Sequence, residues 1–243
     1  MEEPLPPIEH STAIVTGGAL GIGAAIVSRL RAAGHPVASL DLATPDEPRE
    51  GVLDIVCDLA EPAQIAGAVG AARTLGQLGV VVHAAAFQHM APFTELDPAD
   101  WDRSFRVNVD GAFHLLQAAV PDLRAAGWGR IVLVTSSSYF QPPAGMSHYI
   151  ATKGALTGLA RGLSTELGPD GITVNAVAPG LTATENAVRN IPAEHFALVQ
   201  SRQAIGRAGQ ADDIAAAVAY LVSPDAGFVT GQTLLVDGGE SRV

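Results

Sequence analysis

The chain is poor in cysteine, in basic residues and in long apolar runs. Its 243 residues include a single cysteine, Cys57, which has no partner for an internal disulfide. Acidic residues outnumber basic ones, and the formal net charge of −11 at pH 7 disfavours binding to nucleic acid or to an anionic membrane surface. No apolar run approaches the length of a membrane span. The sequence also lacks the basic segment followed by an apolar core that would indicate a signal peptide. We therefore expect a cytoplasmic protein that binds neither nucleic acid nor membrane.

Features that would divide the chain are also missing. No linker rich in proline, glycine or serine and no internal repeat interrupts it, so we predict a single domain over 11–243. Residues 1–10 hold three prolines and three acids, which predicts a loose tail. Strand-like apolar runs alternate with helical ones, at 12–16, 36–41, 52–57, 79–84, 129–136, 171–178 and 233–236. This alternation predicts an α/β fold, a Rossmann-like, doubly wound parallel sheet of about seven strands with helices on both faces.

A glycine-rich turn, Thr16-Gly17-Gly18-Ala19-Leu20-Gly21-Ile22-Gly23, lies between the first predicted strand and a helical pattern. In that setting Gly17 permits a tight turn, Gly21 lets the backbone approach a phosphate, and Gly23 lets the helix pack closely on the sheet. The free N–H groups at the helix N-terminus then face a pyrophosphate. The sequence therefore predicts a dinucleotide-binding site.

The second predicted strand ends in Asp41. A carboxylate at this point accepts hydrogen bonds from the adenosine ribose and repels a 2′-phosphate. No Arg or Lys stands at Gly18–Leu20 or at Leu42 to attract that phosphate. We therefore expect NAD as the cofactor, with NADP the less favoured dinucleotide.

Tyr149 and Lys153 lie four residues apart in a stretch that is typical of a helix, so their side chains share one face. An ammonium beside a phenol favours phenolate and lowers the tyrosine pKa, and such a phenol serves as a general acid or base. Ser136, at the end of an apolar run, can hydrogen-bond the oxygen on which the tyrosine acts. This combination suits proton transfer at an alcohol oxygen while a hydride moves at the adjacent carbon.

Together these motifs resemble the short-chain dehydrogenase/reductase family, from about Thr12 to Gly239. Ser136 precedes Tyr149 by thirteen residues, as the family spacing requires. The resemblance implies that Asn108, Ser136, Tyr149 and Lys153 are catalytic, with Asn108 holding a water in a proton relay. The implied cofactor-binding residues are Gly17, Leu20, Gly21, Ile22, Gly23, Asp41, Asp58, Leu59, Ala85, Ala86, Tyr149, Lys153, Pro179, Gly180, Thr182 and Thr184.

One segment departs from the family pattern. After the fourth strand the family usually carries Asn-Asn-Ala-Gly, whereas this chain reads His83-Ala84-Ala85-Ala86. We interpret His83 as a structural histidine at the end of the sheet, because no second histidine or carboxylate shares a metal-like spacing with it. No metal is expected. Cys57, on a predicted buried strand, is expected to be an inert small apolar side chain.

The substrate is expected to lie between the motifs, against apolar and aromatic walls. The candidate pocket residues are His89, Met90, Phe93, Ser138, Tyr139, Phe140, Pro143 and Met146. A lid is expected over about 181–205, in which Arg189 and Arg202 could face either way. These walls favour an uncharged, hydrophobic secondary alcohol or ketone, and 138–140 with 148–153 is similar to family members that oxidise aryl-alkyl carbinols.

Several alternatives remain open at this stage. The aromatic residues of the pocket could merely pack the loops. The activity could be that of a 3-oxoacyl or 3-hydroxyacyl reductase, or of a sugar or polyol dehydrogenase. The chain could also be a catalytically silent NAD(H)-binding sensor or scaffold, although such proteins typically lose a catalytic residue and all four are present here.

Glycines recur at every fourth residue along the helix that carries Lys153, at Gly154, Gly158 and Gly162. Each costs about 1 kcal/mol relative to alanine in a helix interior, so we expect another helix or chain to approach this stripe closely. The resemblance implies a homo-oligomer, a dimer or homotetramer, formed through this helix and the one near Asp100–Val120. Packing within one chain, or an alanine- and glycine-rich composition, is the alternative.

Overall fold

The computed structural model describes residues 10–242. The predicted tail over 1–10 lies outside the described residues, apart from His10. The strands are β1 (Thr12–Thr16), β2 (Val37–Asp41), β3 (Val52–Val56), β4 (Leu78–His83), β5 (Gly129–Val134), β6 (Ile172–Pro179) and β7 (Thr233–Val236). They form one parallel sheet in the order β3-β2-β1-β4-β5-β6-β7, which confirms the predicted single-domain, seven-stranded α/β fold.

Helices cover both faces of the sheet, as predicted. They are α1 (Gly21–Ala32), α2 (Pro62–Ala72), α3 (Pro98–Phe105), α4 (Gly111–Ala126), α5 (Ser147–Leu167), α6 (Glu185–Asn190), α7 (Ala193–Gln200) and α8 (Ala211–Val222). One apolar core lies between the sheet and α2, α4 and α5, and the other lies between the sheet and α1 and α8. The apolar character of the central strands follows from this double coverage. Within residues 10–242, no helix combines the length and the apolar character needed to cross a membrane.

The strand order reverses between β1 and β4, and this reversal positions the site. Thr16 at the end of β1 pairs with His83 at the end of β4. In an open parallel sheet, the crevice outside the carboxyl ends of such strands is where ligands bind. The glycine turn after β1 therefore meets the segment at the end of β4, His83–Ala86, which differs from the family pattern, at this crevice.

Two sequence expectations need correction. The predicted buried strand over 52–57 is an edge strand, β3, whose residues are half-buried or exposed, and Cys57 follows it rather than belonging to it. Cys57 is nevertheless buried, and burial together with the neighbouring Asp58 raises the pKa of its thiol to about 11. The helical segment expected near Asp100–Val120 is two helices, α3 and α4, separated by a wide, π-helical turn over Arg106–Asp110.

Candidate active site and dinucleotide site

The glycine turn is pressed against the segment that follows β4. Gly17 has φ +69°, and a Cβ added to it would lie 2.8 Å from the Cα of Ala85. A Cβ at Gly23 would lie 1.9 Å from the carbonyl oxygen of Gly17, so neither position accepts a side chain. The hydroxyl of Thr16 accepts hydrogen bonds from the N–H groups of Ala84 and Ala85 at 3.1 and 3.2 Å. These contacts fix the turn at the crevice.

The N-terminus of α1 has the features of an anion-binding site. Leu20, at its N-cap position, is 75% exposed, and no side chain caps the first turn. A Cβ added to Gly21 would project into a space where only Thr184 lies within 4 Å. The residues therefore fit a dinucleotide, because backbone N–H groups and the positive end of the helix dipole face an open cradle that a side chain would fill.

The predicted adenosine-binding carboxylates lie at the neighbouring strand ends. Asp41 ends β2, and its two carboxylate oxygens accept hydrogen bonds from the N–H groups of Ala19 at 3.0 Å and Leu42 at 2.7 Å. Asp58 follows β3 and accepts from the N–H of Ala60 at 2.9 Å. Asp41 is therefore held beside the glycine turn, where its predicted contact with a ribose requires it.

The four predicted catalytic residues come from three different elements and converge on one place. Ser136 follows β5, Tyr149 and Lys153 lie in the first two turns of α5, and Asn108 lies in the π-helical turn. Asn108, Tyr149 and Lys153 are at most 9% exposed, and Ser136 is 8% exposed. The Lys153 ammonium nitrogen lies 5.2 Å from the centre of the Tyr149 ring. The arrangement places a phenol, a hydroxyl and an amine within one largely buried site.

The side chain of Asn108 makes three hydrogen bonds within the protein. Its side-chain oxygen accepts from the N–H of Phe87 at 2.7 Å, and its side-chain nitrogen donates to the carbonyl of Phe87 and to the Thr152 hydroxyl, both at 3.0 Å. Thr152 in turn donates to the carbonyl of Tyr149 at 2.7 Å. The side chain of Asn108 therefore ties the segment after β4 to the first turn of α5. Its expected role in holding a water stays a prediction.

His83 takes a structural role, as interpreted from the sequence. Its Nε2 lies 3.1 Å from the carbonyl oxygen of Asn108, and its Nδ1 lies 3.1 Å from the hydroxyl oxygen of Thr16. Because a carbonyl only accepts, Nε2 carries the proton and Nδ1 accepts from Thr16. Burial, and next the charge of Lys153, lowers the pKa of His83 to about 3. The neutral ring thus links the glycine turn to the π-helical turn.

Burial dominates the protonation of the tyrosine and the lysine. It raises the pKa of Tyr149 to about 12, against the lowering effect of its hydrogen bond with Ser136, and it lowers the pKa of Lys153 to about 7. The spacing of Tyr149 and Lys153 in the sequence predicts that the ammonium lowers the tyrosine pKa. The structure differs because the Lys153 nitrogen donates to the carbonyl of Val134 at 2.8 Å and because desolvation disfavours both charged forms.

The predicted substrate-pocket residues divide into two groups around the site. The first group follows β4: Met90 and Phe93 are 68% and 72% exposed, and His89 lies 3.9 Å from the carboxylate of Asp100. The second group follows β5 and comprises Ser138, Tyr139, Phe140, Pro143 and Met146. The ring of Tyr139 lies edge-on to Phe140 and covers Gly154 on α5, which is a packing role within the loop and helix.

The segment over 181–205, which the sequence predicts to be a lid, holds a cavity. Its volume is about 270 Å³, and it is lined by residues of α6, of α7 and of the segments before and between them: Ala183, Val188, Ile191, Ala193, Phe196, Ala197 and Gln200. Arg189 and Arg202 are exposed and do not line this cavity. This segment approaches the glycine turn at Thr184, whose side chain would lie 3.2 Å from a Cβ added to Gly21. The Thr184 hydroxyl also caps α6 by accepting from the N–H of Ala187 at 3.2 Å.

Other predicted cofactor residues lie at the carboxyl ends of the strands, along the same edge of the sheet as the glycine turn. Leu59 is buried. Ala85 lies against the glycine turn, where a Cβ added to Gly17 would meet its backbone, and Ala86 follows it at an exposed position. Pro179 ends β6, the N–H of Gly180 donates to Val236 at 2.9 Å, and the Thr182 hydroxyl donates to the carbonyl of Gly180 at 3.0 Å. The exposed methyl of Ala86 makes the departure from the family's glycine compatible with the fold of this chain.

The α/β fold and the open N-terminus of α1 at the glycine turn fit a protein that binds a dinucleotide. The sequence profile described as enoyl-(acyl carrier protein) reductase matches residues 17–241, and the chain belongs to the short-chain dehydrogenase/reductase family, which confirms the resemblance. Acetoacetyl-CoA reductase of Shinella zoogloeoides is 34% identical over 94% of this chain and 97% of its own length. The hydroxy(phenyl)methylsuccinyl-CoA dehydrogenase subunit BbsD of Thauera aromatica is 35% identical over 96% and 98%. Gluconate 5-dehydrogenase of Gluconobacter oxydans is 34% identical over 96% and 95%.

Proposed function

We propose that this chain is an NAD-dependent cytoplasmic dehydrogenase that interconverts a hydrophobic secondary alcohol and its ketone. The observation that carries the proposal is the convergence of Tyr149, Lys153, Ser136 and Asn108 beside the dinucleotide cradle. The bound dinucleotide supplies the hydride chemistry. Formation of NADH from hydrophobic secondary alcohols, with NADP as the comparison, tests the proposal.

Each catalytic side chain has a distinct part in this mechanism. Tyr149 holds or accepts the proton of the substrate oxygen. Ser136 donates a hydrogen bond to that oxygen and stabilises charge on it. Lys153 lies behind the phenol and favours its anionic form when charged. Because the pKa of Tyr149 is raised to about 12, the phenol is protonated at neutral pH and is ready to act as the acid in ketone reduction.

The lid cavity supports a hydrophobic substrate. Six of its seven lining residues are apolar and none is charged, so it favours an alkyl or aryl substituent over a sugar or a phosphate. BbsD is named for a CoA thioester that also carries a phenyl-bearing carbinol, and the carbinol part of that compound agrees with this preference. The residues after β4 and β5 would then contact the part of the substrate that lies outside the lid.

A thioester substrate is the second candidate. Two relatives are named for CoA thioesters, and the matching family profile is named for an acyl-carrier substrate. A phosphopantetheine or CoA group calls for basic residues at the entrance, and none lines the lid cavity. The relative kcat/KM for a hydrophobic carbinol and for a 3-hydroxyacyl thioester separates the two candidates.

Replacing Asp41 with alanine is expected to narrow the preference for NAD over NADP by about tenfold. The variant loses the carboxylate that repels a 2′-phosphate, and it also frees the N–H groups of Ala19 and Leu42. The measurement is the ratio of kcat/KM values with the two dinucleotides. Asp46→Ala, which removes the same charge from an exposed position of the following loop, is the control. An unchanged ratio in Asp41→Ala would refute the ribose role.

We also propose a homo-oligomer, a dimer or tetramer, that uses the open face of α5. Gly154 is covered by Tyr139 within the chain, whereas a Cβ at Gly158 or Gly162 would have nothing within 4 Å. Gly158→Leu therefore fits the single chain and is expected to block close approach of a second copy, which would lower the mass measured by light scattering. Gly67→Leu on α2, also in open space, is the control. A normal mass in a folded Gly158→Leu variant would contradict this interface.

A further inference from the structure

The loop over 42–51, between β2 and β3, brings Arg49 against the glycine turn. Its Nη1 donates to the carbonyl oxygen of Gly18 at 2.9 Å, and its Nη2 donates to the hydroxyl of Ser39 at 2.8 Å. The turn lies directly on the strand at this point, because a Cβ added to Gly18 would lie 2.5 Å from the Ser39 hydroxyl oxygen. Arg49 therefore fastens the glycine turn to β2.

Asp41 holds the same turn at Ala19, the residue that follows Gly18. Its carboxylate accepts from the N–H of Ala19, one residue after the carbonyl that Arg49 holds. Ser39 and Asp41 are two residues apart on β2, so they share one face, about 7 Å from each other along the strand. A guanidinium and the ribose-binding carboxylate thus flank one turn, and a long arginine side chain can span the distance between them.

Asp54 on β3 fixes the position of the Arg49 guanidinium. It pairs in register with Ser39, and its oxygens accept from Nε of Arg49 at 3.3 Å and from Nη2. The side chains of Arg49 and Asp54 are only 22% and 15% exposed. The ion pair therefore lies in a poorly hydrated place where salt screens it weakly, and it directs the guanidinium towards Gly18 and Ser39.

Building on the proposed dinucleotide function, we propose that Arg49 is a further cofactor-site residue and that its ion pair with Asp54 determines dinucleotide selectivity. When paired with Asp54, Arg49 holds the glycine turn in the conformation that binds a ribose with a free 2′-hydroxyl. When released from Asp54, the guanidinium is a cation beside the ribose position, and it binds a 2′-phosphate through charge-assisted hydrogen bonds.

The test measures binding by calorimetry of AMP and of AMP that carries an additional 2′-phosphate, so no turnover is needed. Asp54→Asn keeps the shape of the side chain and removes its charge. We expect it to tighten binding of the 2′-phosphorylated nucleotide by about tenfold and to change binding of AMP by less than about twofold. Adding Arg49→Gln to Asp54→Asn is expected to abolish the gain. Arg49→Gln alone is expected to weaken binding of AMP by about tenfold, because the turn loses its clamp.

Two controls separate this effect from loop loosening and from net charge. Arg31→Gln removes an arginine whose Nε donates to Glu50 of the same loop at 3.0 Å without touching the turn, and Asp46→Asn removes an equal charge from the loop. Both are expected to keep the selectivity of the unmodified protein. Thermal unfolding verifies that each variant is folded.

The outcomes are distinguishable. An unchanged ratio of the two affinities in Asp54→Asn, or a gain that persists when Arg49 is also replaced, would overturn the role of Arg49 in selectivity. Unchanged binding of AMP by Arg49→Gln would overturn the clamp. Failure of the unmodified protein to bind either nucleotide would instead contradict the dinucleotide site, and with it the proposed function.

Discussion

Replacement of Tyr149 with phenylalanine is expected to lower kcat by about 10³-fold while changing the affinity for NAD by less than about twofold. The phenol oxygen is the group that we propose exchanges a proton with the substrate oxygen, and the variant retains the ring that packs in the site. The loss should therefore appear in kcat rather than in binding. Steady-state kinetics together with NAD titration measures both quantities.

The control for this variant is Tyr220→Phe, which removes a hydroxyl from an exposed position on α8. It is expected to retain the activity of the unmodified protein. A Tyr149→Phe variant with the unmodified rate would show that another group carries the proton. A variant that lost NAD binding as well would show that the tyrosine supports the fold of the cradle rather than the chemistry.

Lys153→Met is expected to lower kcat by about 10²-fold and, in addition, to change how stability depends on pH. Burial lowers the pKa of Lys153 to about 7, while the unfolded chain keeps the usual value near 10.5. Between these values the unfolded state binds a proton that the folded state does not. The stability of the unmodified protein relative to Lys153→Met should therefore rise with pH, by up to about 1.4 kcal/mol per unit.

Urea unfolding of both proteins at several pH values between 7 and 10 measures this difference. The methionine side chain is one atom shorter than that of lysine but fills most of the same buried space, so only a small packing defect is expected. Lys153 is the only lysine in the chain, so isotope-labelled lysine gives one side-chain resonance whose titration reports the pKa directly. A pKa near 10.5, or a stability difference that does not vary with pH, would contradict the buried neutral lysine.

The fold was predictable because alternating apolar runs and a glycine turn carry local information. The bounds of β1 and β7 match the predicted runs, whereas the end of β5 differs from the predicted end. The predicted strand continued to Ser136, but the regular strand ends at Val134, although the N–H of Thr135 still bonds to Val177 at 2.7 Å. An apolar run does not show where a hydrogen-bond ladder stops, because that depends on the neighbouring strand.

The parts of the site that sequence reasoning missed depend on contacts between distant residues. The π-helical turn at Asn108 is held by Phe87 and Thr152, which lie far along the chain in both directions. Arg49 reaches back to Gly18 from a proline-containing loop that has no periodic pattern. The raised pKa of Tyr149 likewise follows from burial, whereas sequence spacing alone indicated only the neighbouring lysine.

The most direct test of the central claim is NADH formation by purified protein with NAD across a panel of secondary alcohols, with NADP in parallel. The panel contains aryl-alkyl carbinols such as 1-phenylethanol, aliphatic and steroid alcohols, polyols and 3-hydroxyacyl thioesters. We predict turnover with NAD that is highest for one hydrophobic class of alcohol and that Tyr149→Phe abolishes. A preference for polyols or thioesters, or turnover that requires NADP, would contradict the proposed substrate class or cofactor, and absence of any turnover despite NAD binding would favour a dinucleotide-binding sensor.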